Sequence, residues 1–262
     1  MGRPICPLEG PRIRRTETLM KAFIITMSDK PTSVELAKKC RASVMQYCSP
    51  AVQPLHFEAV QPKTNLSASI EVFGEYLAYT YPESPFNSHM DFNTNLYLKA
   101  YETNDVKKII ACSLSHMKLW KFCVDENETI MVLEHDAIFH DWFGFDANHF
   151  EANKDWGVLG LNCPRGNTRK GSIFANSVES NGTLVQNVPE IDGPGEPPLP
   201  QGLAGNSAYL IRPHAAKALL SKTKELGIWP NDAIMCKQLF PWLRVTYPFY
   251  TTTQRNVSST TK

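Results

Sequence analysis

The run Glu134-His135-Asp136 places two carboxylates around an imidazole directly after the apolar stretch Ile130-Met131-Val132-Leu133. Side chains at such a point leave the edge of a sheet and converge on a cation. Carboxylate oxygens with one imidazole suit Mn²⁺ or Mg²⁺ better than a thiolate-preferring metal. An ion held there would neutralise the charge that develops on a departing diphosphate. The plain alternative is capping, since acidic residues after strands are common N-caps. A second group, Asn162, Arg165, Arg169 and Lys170, follows a later strand, with Gly166 and Gly171 letting the backbone approach a ligand. Cations so closely spaced suit a phosphate, of a donor diphosphate or of a nucleic-acid backbone, and a solvated loop explains them equally well. His116 shares a helical face with Ile109, Cys112, Leu119 and Cys123, which on its own describes a hydrogen-bonded core histidine.

The elements that must position these residues alternate between strand and helix. Ala22 to Met27 is a short apolar run ended by the turn chemistry of Ser28-Asp29-Lys30-Pro31, and reads as a buried strand. Val34, Ala37, Cys40 and Val44 recur at helical spacing, with Ser33 placed to cap, and residues 55–60 alternate as a second strand. Residues 63–104 carry eight aromatics among Asn, Ser and Pro and read as an insertion whose rings pack on the body or stack on a sugar. Asn104 or Asp105 caps a helix with Val106, Ile110, Leu114, Met117, Trp120 and Val124 on one stripe. Strands are expected at 129–133, 157–162, 205–211 and 243–250, with Pro213 opening a helix that Gly227 stops and a short helix after Asn231. Residues 181–202, with five prolines, read as a surface loop or lid. Strand, helix, strand at the start of the chain opens a parallel α/β sheet, and ligands of such sheets bind beyond the carboxyl ends of the strands.

At 262 residues and 42% hydrophobic content the chain is long enough to bury one full α/β core. A net charge of +1 excludes a global basic field for nucleic acid or anionic membrane. Seven scattered cysteines without a Cys-x-x-Cys pair read as core fillers, not as a zinc knuckle. Residues 1–19 are polar and Arg-rich without a secretory apolar core, and are expected to be a disordered extension ahead of a domain over 20–262. With no stretch approaching the ~18–20 apolar residues of a span, a cytoplasmic location is expected.

The helix segment Ala111-Cys112-Ser113-Leu114-Ser115-His116-Met117-Lys118-Leu119-Trp120, followed by Leu133-Glu134-His135-Asp136, resembles glycosyltransferase family 25. That family includes lipooligosaccharide sugar transferases and relatives of the collagen galactosyltransferases. Its members show Gly-Cys-x-x-Ser-His-x-x-x-Trp and then Leu-Glu-Asp-Asp. The likeness continues through Phe57-Glu58-Ala59-Val60, Gly205-Asn206-Ser207-Ala208-Tyr209-Leu210, Pro230-Asn231-Asp232 and Gln254 to Ser259, with two departures: Ala111 replaces a glycine, and His135 replaces an acid. The second removes a negative charge and changes the expected ion preference.

The resemblance implies a single GT-A-like, Rossmann-type α/β domain, with a mostly parallel central sheet flanked by helices. It would transfer sugar from a nucleotide diphosphate carrier, a UDP-sugar by expectation, with Mn²⁺ or Mg²⁺ held by Glu134, His135 and Asp136. Glu134, Ser115 and His116 are expected to support the donor pocket or metal loop, and Thr26 and Ser28, with Asp29, to contact the nucleotide. Asp232 matches the family's acidic residue and is expected to be the general base of an inverting transfer, though a helix N-terminal aspartate favoured by the dipole fits the same position. The expected acceptor is a saccharide of a lipid-linked glycan. A hydroxymethylated base in DNA is the alternative acceptor, and a non-catalytic sugar- or nucleotide-binding module is the alternative to an enzyme.

Overall fold

The computed structural model describes residues 19–74, 77–140, 144–166, 170–193 and 196–254. The expected extension up to residue 18, Arg169 and the segment from 255 onward lie outside them.

Apolar strands buried on both faces build the centre. In chain order the strands are β1 (Met20–Thr26), β2 (Val52–Glu58), β3 (His89–Asp91), β4 (Leu96–Leu98), β5 (Ile130–Glu134), β6 (Ala137–Phe139), β7 (Val158–Gly160), β8 (Val185–Asn187), β9 (Ala208–Ile211), β10 (Leu243–Thr246) and β11 (Thr251–Thr253). The helices are α1 (Pro31–Tyr47), α2 (Leu66–Glu71), α3 (Val106–Asp125), α4 (Ala147–Ala152), α5 (Gly171–Asn181), α6 (Pro213–Leu226) and α7 (Asn231–Ile234). Seven strands form one sheet in the order β2-β1-β5-β9-β7-β10-β8. β9 runs antiparallel to both neighbours and β8 antiparallel to β10, so the other five strands point the same way. This is the mostly parallel sheet flanked by helices that the sequence led us to expect.

Strand periodicity sorts the core into two layers. Ile130 and Val132 face α3 and α6, whose Leu114, Met117, Trp120, Ala216 and Leu219 share one apolar cluster. Met131 and Leu133 face the opposite layer with Cys40 and Val44 of α1, Phe139 and Phe150. Glu134, next in the alternation, returns to the α3 side. The helix signals at Asp105, Pro213 and Gly227 hold: Asp105 accepts from the Lys107 amide at 3.0 Å, Pro213 opens α6, and Gly227 follows it with φ +92°.

Several local expectations are corrected. α1 begins at Pro31 after Lys30, and Ser33 is buried with its hydroxyl accepting from the Met27 amide at 3.0 Å, so Ser33 is not the cap. The expected strand 205–211 joins the sheet only at Ala208, and the expected strand 243–250 stops at Thr246, before the cis Tyr247-Pro248 bond, with β11 starting beyond it at Thr251. The loop 181–202 contains β8, an edge strand recruited by β10. Residues 63–104 hold α2 and the β3–β4 hairpin; Tyr81, Leu96 and Leu98 pack into the core, whereas Phe86 and Phe92 are 99% and 91% exposed.

One contact seats the final helix. Gly202 runs so close to α7 that a Cβ there would strike the Asp232 carbonyl and lie 2.7 Å from the Met235 carbonyl oxygen. Backbone cannot yield as a flexible side chain does. Gly202→Ala is therefore expected to destabilise the protein by about 1–3 kcal/mol and to displace Asp232; an unchanged urea midpoint would contradict this packing.

Candidate active site

The carboxyl ends of β1, β2 and β5 and the amino end of β9 meet at one edge of the sheet, because β9 runs antiparallel to β5 and starts where β5 finishes. Glu134 is the last residue of β5, and its amide donates to the Ser207 carbonyl at 2.8 Å. His135 and Asp136 form the turn into β6, which pairs with β11, and the Gln254 amide closes over the turn by donating to the Asp136 carbonyl at 2.7 Å. The acidic tip is thus clamped by backbone on two sides.

Three carboxylates act electrostatically on one thiol there. Burial pushes the Cys112 thiol well up, and Glu134, Asp232 and Asp136 push it further in that order, so all three acids act on one sulfur and keep it protonated. Asp136 is pushed up to about 7, first by burial and then by Glu134. Its Oδ1 is buried and has no hydrogen-bond partner among the described residues. Asp232, on the first turn of α7, accepts from the Tyr101 hydroxyl at 3.0 Å. Burial raises its pKa and Glu134 adds to that, against the opposing pull of the Tyr101 hydrogen bond, a backbone amide and His116.

The residues fit a divalent cation with a preference for oxygen. Glu134 and Asp136 repel one another across a partly buried tip, and Asp136 turns an unpaired oxygen into it. A softer set also exists, because ligand atoms of Cys112, His116 and Glu134 lie within 4.8 Å of one another. Proton bookkeeping argues against that set. The buried Tyr209 hydroxyl accepts from Trp120 Nε1 at 2.9 Å and meets His116 Nδ1 at 2.8 Å. If Tyr209 donates to Nδ1, its hydroxyl is satisfied both as donor and as acceptor, and the imidazole proton lies on Nε2. Nε2 stands 3.5 Å from Glu134 Oε1, near enough for electrostatic attraction but without a hydrogen bond. In that tautomer His116 presents a proton to Glu134 and offers no lone pair to a metal.

The remaining sequence candidates divide. Burial shifts His135 down, with Glu134 and then the Ile25 backbone opposing the shift, and its ring lies outside the group of close ligand atoms. The Ser115 hydroxyl is spent on the Ala111 carbonyl and the Val60 amide, both at 2.9 Å, and ties the end of β2 to α3. Thr26 is buried and donates to the Ile24 carbonyl at 3.1 Å. Ser28 is exposed, its amide and hydroxyl both donating to Glu58, with His56 Nε2 3.4 Å from the hydroxyl. Although burial pushes Glu58 up, the Ser28 bonds and then His56 hold it below its ordinary value. Sequence reasoning passed over His56 and Glu58 as candidates; their place at the carboxyl end of a strand was the available signal.

The described residues of the basic loop are engaged within the chain. Asn162 is buried, donates to the carbonyls of Gly205 at 2.8 Å and Cys163 at 3.1 Å, and accepts from Thr251. Arg165 forms a bidentate pair with Glu179, at 2.5 and 2.8 Å, and also donates to Asn176. Lys170 pairs with Asp192 and Glu196.

The Asp136 carboxyl carries a stability cost with a definite sign. A carboxyl raised to about 7 binds more protons folded than unfolded, so its contribution is complete at low pH and is lost as pH climbs through about 7. In metal-free protein at pH 8, Asp136→Asn should raise the melting temperature by ~2–4 °C. The gain should shrink toward pH 4, and Mn²⁺ should stabilise the parent protein but not the variant. An equal or lower midpoint for the variant at pH 8 would refute the crowding.

The model of glycosyltransferase family 25 (LPS biosynthesis protein) matches residues 32–235. None of the curated proteins matches the chain. Among solved structures, apo mouse xyloside xylosyltransferase 1 is similar with a TM-score of 0.42 and 9% identity, covering 86% of this chain and 83% of that one. Among the described residues no helix is long and apolar enough to cross a membrane. With a family match running from α1 into the end of α7, across the acidic tip and Asp232, the chain belongs to glycosyltransferase family 25 and is a glycosyltransferase.

Proposed function

We propose that this glycosyltransferase moves a sugar from a nucleoside diphosphate carrier, a UDP-sugar, to a hydroxyl of a saccharide in a lipid-linked glycan, with inversion at the anomeric carbon. The observation that carries the reading is the buried Asp136 Oδ1, left without a hydrogen-bond partner among the described residues beside Glu134, at the sheet edge that the family match spans. Glu134 and Asp136 are the residues that would hold Mn²⁺ or Mg²⁺. When bound, such an ion supplies Lewis-acid neutralisation of the leaving diphosphate.

The chain's own groups do the rest. His116 holds the Glu134 carboxylate in place from a ring fixed by Tyr209 and Trp120. Asp232 takes the proton of the acceptor hydroxyl as that oxygen bonds to the anomeric carbon and the carbon–phosphate-oxygen bond breaks, which inverts the centre and needs no covalent intermediate. A raised pKa makes Asp232 a stronger base than an ordinary carboxylate, and Tyr101 keeps it ionised and aimed. A saccharide is favoured over hydroxymethylated DNA because Arg165 and Lys170, the described cations of the basic loop, are already paired with acids.

The test is Mn²⁺-dependent release of nucleoside diphosphate from a panel of sugar donors, with mass spectrometry of candidate acceptors. Inertness toward every donor, with nucleotide binding retained, would instead support a binding module. In the active enzyme Asp232→Asn should lower kcat by about 10²–10⁴-fold with donor binding nearly unchanged. The acid limb of kcat should lie above the ordinary carboxylate range, activity falling as pH drops and Asp232 takes up a proton. Tyr101→Phe should move that limb higher, because the lost hydrogen bond stabilised the charged form. Full turnover in Asp232→Asn would remove the base assignment.

A further inference from the structure

Five polar side-chain atoms on one short stretch are buried without hydrogen-bond partners among the described residues: Gln201 Nε2 and Oε1, Asn206 Nδ2 and Oδ1, and Ser207 Oγ. The three residues are only 7%, 8% and 4% exposed. Native interiors pair nearly all such atoms, and each one left unpaired costs stability. A concentration of them within seven residues calls for a partner the chain does not itself supply.

Position indicates the partner. The stretch begins beside α7, where Gly202 touches the Asp232 carbonyl, and ends at Ser207, whose carbonyl takes the Glu134 amide. It therefore bridges the proposed base and the acidic tip, the interval in which the anomeric carbon of a donor must lie. It is held in that place by independent contacts. Asn162 donates to the Gly205 carbonyl, the Ser207 amide donates to the same oxygen at 2.8 Å, and the Gln201 carbonyl takes the Lys237 amide at 2.9 Å.

The chemistry of the unpaired set narrows the ligand class. Two amide nitrogens donate, two amide oxygens accept, and a hydroxyl does both. A phosphate would require donors alone, and a cation acceptors alone. A ring bearing neighbouring hydroxyls offers donors and acceptors in equal measure. Resting on the transferase reading above, we propose that Gln201, Asn206 and Ser207 form the wall that hydrogen-bonds the hydroxyls of the donor sugar and so determines which hexose is accepted.

The experiment measures, by calorimetry in Mn²⁺, the binding of UDP- and GDP-hexoses and of UDP and GDP alone to the parent chain and to Gln201→Ala, Asn206→Ala and Ser207→Ala. The Asn206 and Ser207 variants should bind the preferred sugar nucleotide about tenfold or more weakly, with the free nucleotide within about twofold. Discrimination between epimeric hexoses should narrow. Because an unpaired buried group is being removed, their melting temperatures should stay level or rise. Sugar-nucleotide affinity equal to the parent's, affinity lost in parallel for sugar nucleotide and free nucleotide, or loss accompanied by a drop in melting temperature would each overturn the proposal. A parent chain that binds and turns over donors while the variants match it defeats this inference alone. A parent chain that neither binds nor turns over any sugar nucleotide defeats the transferase reading and this inference with it.

Discussion

Glu134, Asp136 and Asp232 bring negative charge into one partly buried space, and the arrangement of the edge follows from how that charge is tolerated. Burial above all, with repulsion from Glu134 adding to it, favours protons on Asp136 and Asp232. A fold without use for this repulsion would be more stable with amides in their place. Here the backbone instead clamps the acids, through Ser207 on one side and Gln254 on the other. The strain is concentrated where charge chemistry is proposed, as expected of a site that gives up stability for reactivity.

The groups around the acids have distinct tasks. Trp120 and Tyr209, both deep in the α3 layer, fix the ring of His116, and His116 faces Glu134. Tyr101, from the end of the 63–104 insertion, reaches Asp232 and links the insertion to the proposed base. Its neighbour Tyr81 stacks on Tyr101 with ring centroids 5.8 Å apart. Part of the aromatic content of the insertion thus serves to hold a catalytic candidate, whereas Phe86 and Phe92 stay in solvent.

Much of this was legible in the chain. Helix starts and stops are local chemistry, so Asp105, Pro213 and Gly227 could be read directly. The alternation Ile130, Val132, Glu134 against Met131, Leu133 was legible as a buried strand ending in an acid. The end of the strand at Thr246 was missed, although Pro248, which cannot donate to a ladder, was the available signal. Not legible was β8, an edge strand whose pairing depends on β10 arriving from about sixty residues away.

The sequence by itself determined which residue types stand at strand ends, and hence that acids, imidazole and a thiol were present in the right order along the chain. Tertiary structure decided which of them meet. Adjacency along the chain suggested Glu134, His135 and Asp136 as one ligand group, whereas the folded chain also brings His116 to Glu134 from α3. It likewise spent Arg165 and Lys170 on Glu179, Asp192 and Glu196, and left side-chain atoms of Gln201, Asn206 and Ser207 without partners among the described residues. Hydrogen bonds and ion pairs are satisfied by groups distant in sequence, so which polar atoms remain free for a ligand is a property of the folded chain alone.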